Sequence, residues 1–319
     1  GELGVHFEQS GSEAVAAATL AASVHYPIRG AATFKATVGT NVASDALANL
    51  SSGGVTGGAL IIVGEDYGEG ASIMQERSHS FAMKSQIWLL DPRPNLESIV
   101  KAVHDGFELS EISNTPVMLE LRIRSCHVHG RFMAKDNVRP KMALSEALEN
   151  PKRDLNRIVL PPASFLHEQE KISKRWPAAV NFIKERGLNE FFGPEVGKVG
   201  LVIQGGMYNG VMRALQRLAL ADIRGRTDVP IYCLNVTYPL VDDQFLDFAR
   251  TKEAVLIVEE GQPDHLEQAF GAMMHKAGLD TKLFGKGPFP MAGEYTGPVM
   301  LNSIRQFLRE NAAELLSNF

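Results

Sequence analysis

Short runs of β-forming residues recur along this chain with helical stretches between them, and that alternation limits the fold more than any other feature. In the first half the runs are AATFKAT (31–37), ALIIVG (59–64), IWLL (87–90) and VMLELRI (117–123), with helices expected over 13–25, 41–51, 71–84 and 94–110. Strands that are apolar on both faces need cover on both faces, which a parallel sheet between two helical layers supplies. The pattern returns at KVGLVIQ (198–204), PIYCLNV (230–236), EAVLIVEE (253–260) and TKLFG (281–285). Between the two series the chain turns charged and helical, with a break at Pro161-Pro162. These features predict an α/β protein of two domains with mainly parallel sheets, 1–135 and 197–319, joined by a helical linker over 136–196. There is no internal repeat and no low-complexity tract.

With 319 residues there is enough chain for two cores. A net charge of -5 removes the electrostatic drive for non-specific binding to nucleic acid or to an acidic membrane, so neither is expected as a partner. No apolar run approaches the ~18–20 residues of a spanning helix, and the first residues lack a basic-then-apolar leader, so a cytoplasmic location is expected. The two cysteines, Cys126 and Cys233, both lie in strand-like segments. They exclude a disulfide framework and an all-cysteine iron–sulfur cluster within this chain, since such a cluster takes about four thiolates. Electrons from any redox chemistry would leave through another chain or segment.

Several motifs fail on spacing. The segment GLVIQGGMYNGVMRALQRL (200–218) reads as strand, turn and helix, but Gly205, Gly206 and Gly210 do not make G-x-G-x-x-G, and the next strand ends at Asn235 rather than at a ribose-binding acid. GGVTGG (53–58) lacks the Lys-Ser/Thr of a phosphate loop, and Ser72 in GASIM lacks the closing glycine of a nucleophile elbow. Were Cys126-His127-Val128-His129 a strand, the two histidines would share a face and the cysteine would oppose them, so at most two could meet one zinc. No metal site is therefore assigned. Arg124 and His127 are read as lining a cleft at the carboxyl end of a strand, where ligands of open α/β sheets gather. Glu13 heads the small, apolar helix EAVAAAT. An acid in a first helical turn is favoured by the free N–H groups there, and nothing local separates that from a chemical role.

An ordered set of segments goes further. SEAVA (12–16), KATVGTNVASD (35–45), GVTGGALIIVGED (54–66), RIRSCHVHG (122–130), VIQGGMYNGV (202–211), VTYPL (236–240) and GKGPFPMAGEYT (285–296) together resemble the alpha subunit of indolepyruvate:ferredoxin oxidoreductase, one of the thiamine-diphosphate-dependent 2-oxoacid:ferredoxin oxidoreductases. The resemblance implies a pyrimidine-binding thiamine diphosphate domain followed by a transketolase-C-terminal-like domain. It also implies that Glu13 activates the cofactor by hydrogen bonding to its aminopyrimidine ring, promoting the tautomer that removes the thiazolium C2 proton. Among Ala14, Val15, Ala16 and Ala17, a carboxyl group away from water should hold its proton more tightly than usual. Val38, Gly39 and Asn41 would join Glu13 at the cofactor. Lys35, Arg124 and His127 would face the substrate.

The chain departs from the family pattern in places. The opening strand and helix with a G-Y-P-x-T-P turn are not present, Thr37 stands where the family often has histidine or valine, and 13–39 is one residue longer. No G-D-G followed by Asn occurs to hold Mg²⁺ and the diphosphate, and no ferredoxin-like cysteine set follows. The resemblance thus implies thiamine diphosphate and Mg²⁺ shared with a diphosphate-binding domain or subunit outside this chain, and iron–sulfur clusters only on missing segments or partner chains. The expected activity is oxidative decarboxylation of an arylpyruvate or indolepyruvate to an acyl-CoA, with electrons passed to ferredoxin. Coenzyme A, a beta- or gamma-type subunit and a homo- or hetero-oligomer complete the expected partners. Rival readings are a non-catalytic scaffold of the same fold and a thiamine enzyme of another class, transketolase-like or a non-oxidative decarboxylase.

Overall fold

The computed structural model describes residues 5–67, 77–136 and 142–317. Ten strands make two five-stranded sheets. The first contains β1 (Gly30–Lys35), β2 (Ala59–Glu65), β3 (Trp88–Leu90), β4 (Val117–Arg122) and, from much later in the chain, β8 (Val236–Tyr238), in the order β1-β2-β4-β3-β8. The second contains β5 (Glu190–Phe192), β6 (Val199–Gln204), β7 (Ile231–Leu234), β9 (Ala254–Val258) and β10 (Lys282–Phe284), in the order β10-β9-β6-β7-β5. Each sheet is parallel except for one edge strand: β8 runs against β3 and β5 against β7.

Side-chain alternation along the strands divides the apolar residues among four cores, one on each face of each sheet. Ile61, Val63, Leu89 and Met118 face the helices Glu13–Thr19, Ser44–Gly53 and Ser78–Ser85, while Leu60, Trp88, Val117 and Leu119 face Leu96–Ser113 and Trp176–Glu185. In the second sheet Leu201, Ile203 and Leu256 pack under Tyr208–Arg217 and Gly297–Asn311. Val202, Leu234 and Ile257 pack under Asp242–Arg250 and His265–Ala277. The central helix Leu96–Ser113 starts where the Asn95 side chain accepts from the Ser98 N–H at 2.9 Å and stops at Asn114, left-handed at φ 49°.

The segment between the sheets is pinned to the first. Ala163–Glu170 continues through a wide turn, Lys171–Arg175, with i→i+5 spacing, into Trp176–Glu185. Arg175, 1% exposed, donates to the carbonyls of Ser51, Ser52 and Gly53 at 3.0, 3.2 and 3.4 Å and to Glu170 at 2.9 Å. Three orphan acceptors at the end of the Ser44–Gly53 helix are thereby satisfied. Gly54 follows at φ +73°, and a Cβ there would come within 2.7 Å of the guanidinium carbon.

The structure departs from the sequence reading at several elements. The first strand stops at Lys35, and a helix, Ala36–Val42, starts where the strand was expected to continue. Of the helix expected over 71–84, residues 78–84 lie in Ser78–Ser85, while 71–76, with Ser72, fall outside the described residues. The run PIYCLNV splits: Ile231–Leu234 stays in the second sheet and Val236–Tyr238 crosses to the first. The strand expected to carry Cys126, His127 and His129 ends at Arg122 and is followed by one helical turn, Ile123–Cys126. The face argument for the two histidines therefore has no strand to act on, and Cys126 is exposed rather than inside an apolar strand. Cys233 is buried in β7, as expected.

Candidate functional site

The carboxyl ends of the central strands of both sheets converge on one seam, where the runs of β2, β3, β4, β6, β7 and β9 close on polar or charged residues. From the first sheet come Glu65, Asp91 and Arg122, and from the second Gln204, Asn235, Glu259 and Glu260. The Asp91 N–H donates to the Asn235 carbonyl at 2.9 Å, the Gly206 N–H to Asp91 Oδ1 at 3.1 Å, and the Glu260 N–H to Gln204 Oε1 at 2.9 Å. Arg122 lies at the centre. Its Nη2 reaches Asp91 at 2.6 Å, its Nη1 reaches Glu260 at 2.7 Å, and Glu120 stands 3.4 Å from Nη2. Tyr67 lies between the guanidinium groups of Arg77 and Arg122, 4.4 and 4.9 Å from its ring centre. Such close approach explains Gly205 and Gly206: a Cβ on Gly205 would lie 2.0 Å from the Asp91 carbonyl oxygen, and one on Gly206 2.3 Å from Arg122 Nε.

Burial dominates the electrostatics of the seam. It raises the proton affinity of Glu65, against two hydrogen bonds from Ser78, and raises that of Glu120 far more, with Asp91, Glu65 and Glu260 adding repulsion that Arg122 only partly offsets. Burial also opposes the charge on Arg122, but Asp91, Tyr67, Glu120 and Glu260 together hold the guanidinium well above its ordinary value. Glu259 accepts from the Leu266 N–H through both oxygens at 3.0 Å, and its own burial pushes it up to about 7. Lys286 donates to the carbonyls of Glu259 and Gly261 and to the Tyr295 hydroxyl. Next to this group, His79 is buried and lowered to about 3, and its ring lies 5.2 Å from that of His265, which bonds Ser80 Oγ at 2.8 Å.

The residues singled out from sequence occupy two places. Glu13 is the first residue of its helix, whose Ser12 cap accepts from the Val15 N–H at 3.3 Å, and that helix packs on Ala36–Val42, on Ser44–Gly53 and on β1. Lys35 ends β1, and Val38, Gly39 and Asn41 lie on the helix that follows. Val38 and Asn41 are exposed, as are Val15 and Val42 on the same pair of helices; Gly39 is buried, and a Cβ there would strike the Phe34 ring at 2.4 Å. Glu13 itself is half-buried, so full exclusion of water would need a cover over this face. Arg124 and His127 lie elsewhere. The order β1-β2-β4 separates the end of β4 from Lys35 by two strand spacings, about 10 Å. Arg124 pairs with Glu294 and donates to the Tyr295 carbonyl at 3.4 Å, while His127 is exposed.

Two further features carry less. A cleft of about 100 Å³ between Leu90, Arg93, Lys101, Asp105, Leu188 and Glu190 holds charges that already pair, Arg93 with Glu190 at 2.6 Å and Lys101 with Asp105 at 2.5 Å. Among the described residues the one trio with metal-like spacing is His104, Asp105 and Glu108, and its carboxylates pair with Lys101 and Arg186. The seam itself was missed in the sequence, although a visible signal was there: six of the eight apolar strand runs close on an acid, amide or arginine.

No family model matches the chain. Curated relatives do. It is 29% identical over 306 residues to the indolepyruvate oxidoreductase subunit IorA of Methanothermobacter marburgensis, covering 94% of this chain and 47% of the relative. It is 27% identical over 312 residues to the IorA subunit of Pyrococcus abyssi, covering 96% and 46%. The chain thus spans about half the length of the curated relatives it matches. Among solved structures, the 2-oxoglutarate:ferredoxin oxidoreductase of Magnetococcus marinus, with 2-oxoglutarate, coenzyme A and succinyl-CoA bound, superposes with a TM-score of 0.68 at 17% identity, over 96% of this chain and 57% of that one. A split-gene transketolase, an inactive beta4 tetramer, gives 0.53 at 13% identity, over 96% and 84%. The likeness carried by the ordered motifs therefore extends along nearly the whole chain, and the two-sheet α/β fold is shared with both kinds of enzyme.

Proposed function

We propose that this chain supplies the aminopyrimidine-binding part of a thiamine-diphosphate-dependent 2-oxoacid oxidoreductase, with Glu13 as the acid that works on the ring. The observation that carries the proposal is the similarity to IorA subunits over 94% of the chain, combined with the position of Glu13 on a helix packed against the helix of Val38 and Asn41. A half-buried carboxyl group next to exposed Val15, Val38 and Val42 fits a flat ring that carries nitrogen on one edge. When bound, thiamine diphosphate would supply the carbanion and electron sink for decarboxylation. Glu13 Oε would hold and move a proton at the ring nitrogen, and the valines would exclude water once covered. The proposed division is 1–135, 136–196 and 197–319, with β5 of the linker joining the second sheet and β8 crossing to the first.

The finer reading is an arylpyruvate or indolepyruvate substrate, an acyl-CoA product and ferredoxin as acceptor, in a cytoplasmic homo- or hetero-oligomer. Mg²⁺ and the diphosphate would be held by a complementary domain, and iron–sulfur clusters would sit on segments or chains outside this one. Lys35, Arg124 and His127 stay assigned to the substrate side, Arg124 through the rim it shares with Glu294. A scaffold role is the second reading, favoured by the partial exposure of Glu13.

The test uses the assembled enzyme with 2-oxoacid, coenzyme A and a viologen acceptor. Glu13→Gln should lower kcat by about 10²–10⁴-fold, the usual weight of a positioned acid–base group, with the assembly intact. Turnover near the parent's would leave Glu13 as a helix-start acid only. In parallel, thiamine diphosphate with Mg²⁺ titrated into this chain alone should bind weakly, since ring contacts without the charged clamp barely offset the freedom lost on binding. Micromolar binding at one site per chain would refute the split site.

A further inference from the structure

The seam holds more acid than base. Glu65, Asp91, Glu120 and Glu260 are all buried there, facing Arg122 and Arg77. These oxygens do not gather like metal ligands, since among the described residues only the distant trio on Leu96–Ser113 has that spacing. The surplus negative charge must therefore be reduced by protons, because several uncompensated carboxylates in a dry interior are far too costly.

Geometry selects the acid that carries one. Asp91 takes Arg122 Nε at 3.3 Å and Nη2 at 2.6 Å, and also the Gly206 N–H at 3.1 Å. Glu260 takes Arg122 Nη1 at 2.7 Å and the Tyr295 N–H at 2.6 Å. Glu65 takes both the N–H and the hydroxyl of Ser78. Glu120, 2% exposed, is left with two long contacts, Arg122 Nη2 and the Tyr67 hydroxyl, each at 3.4 Å. Glu65 at the end of β2, Asp91 after β3 and Glu260 after β9 all repel its charge, and Arg77 faces it only from beyond the Tyr67 ring, 4.4 Å from the ring centre. It has the worst solvation for an anion and the most repulsive surroundings.

We propose that Glu120 is held as the neutral carboxylic acid, and that its proton is the latch of the seam: with the proton on, the carboxyl edges of the two sheets stay closed, and its loss to solvent in alkali loosens them. Burial and repulsion both raise its proton affinity in the fold, in the direction already described. The sign follows from linkage. An acid that binds its proton more tightly when folded contributes stability below its unfolded value near 4.5, and that stability is lost as pH rises through the folded value. Asp91 and Glu260 span the seam through the same arginine, so a charge added at Glu120 competes directly with the cross-domain contacts. This proposal is independent of the role of Glu13.

The test is urea unfolding of the whole chain at pH 6, 7 and 8, beside Glu120→Gln, which mimics the neutral acid. The parent's midpoint should fall over this range. The variant should lose most of that slope and exceed the parent at pH 8, since Glu259 and the histidines contribute equally to both. In infrared spectra at pH 7 the carbonyl band of protonated carboxyl groups should shrink in the variant. Amide exchange at Gly206, which donates across the seam to Asp91, and at Tyr295, which donates to the Glu260 that pairs with Arg122, should accelerate between pH 6 and 8 in the parent beyond the base-catalysed trend and not in the variant. Glu120→Met, neutral and of similar length, covers the case in which the amide disturbs packing. An unchanged carboxyl band, an unchanged slope, or failure of both variants to fold at pH 6 would show that an ionised Glu120 is required and would overturn the proposal.

Discussion

Arg175→Met is expected to detach the linker from the first sheet without removing its apolar packing. The guanidinium is buried, serves three carbonyls at the end of Ser44–Gly53 and pairs with Glu170. Methionine preserves much of the side-chain stem, so the loss is chiefly polar. Removing one member of a buried charged network costs about 3–5 kcal/mol, and the partial exposure of Glu170 lets water recover some of it, so a loss of about 3 kcal/mol is expected. At a urea m-value of about 3 kcal/mol/M this moves the midpoint by about 1 M. The chain carries its own probe. Its two tryptophans, Trp88 and Trp176, meet edge to face at 5.4 Å across this junction, with Tyr238 5.2 Å from Trp176. Undocking would uncover Trp88, 1% exposed in the fold, and shift the emission to the red before the second sheet unfolds. Arg175→Lys should fall between parent and Met variant, since one ammonium cannot span three carbonyls. A Met variant within about 0.5 kcal/mol of the parent, with emission unmoved, would mean that apolar helix packing alone holds the linker.

Two further outcomes follow from burial. His79 is neutral in the fold because burial, helped by His265 and Arg122, lowers it to about 3 from 6.5, so its contribution to stability is lost as pH falls below 6.5; at pH 4.5 the penalty is about 3 kcal/mol, and His79→Leu should flatten that acid limb in urea titrations. Gly206→Ala should cost about 1–3 kcal/mol in thermal melts, because its Cβ would meet Arg122 Nε at 2.3 Å and Asp91 Oδ1 at 2.6 Å, whereas Gly210→Ala, facing only Met300 at 3.5 Å, should be close to neutral.

What was legible in the sequence followed periodicity. The apolar runs became eight of the strands because burial on both faces leaves little freedom in where such runs can go. The two antiparallel edge strands were not legible. Glu190–Phe192 is partly exposed and sits inside charged sequence, and Val236–Tyr238 is separated from β7 by one residue, Asn235, whose side chain donates to the Leu188 carbonyl and to Glu190. A single residue that redirects the chain from one sheet to another leaves no periodic trace. The same holds for Arg122 and Glu260, which are 138 positions apart in sequence and paired in space. Gly205 and Gly206 were read on spacing as a tight turn rather than a dinucleotide fingerprint, and their use in the fold, backbone approach across the seam, needed the partner surface to be seen.

The seam also bears on where a ligand can go. In open α/β sheets the carboxyl edge is the usual site, but here Asp91, Arg122 and Glu260 satisfy one another across it, and among the described residues the room left there is small, beside Arg124 and Glu294 and in the cleft by Leu90 and Arg93. The open ground is lateral, at the edge strand β1 and the two helices that carry Glu13, Val15, Val38 and Val42. That face is apolar enough to be covered and carries the Glu13 carboxyl group at a helix start. Covering the face would replace water by apolar surface beside that carboxyl group. Under the proposed function, the ring meets the half-buried carboxyl group out of water only when the complementary half closes over this face, which couples activation of the cofactor to assembly.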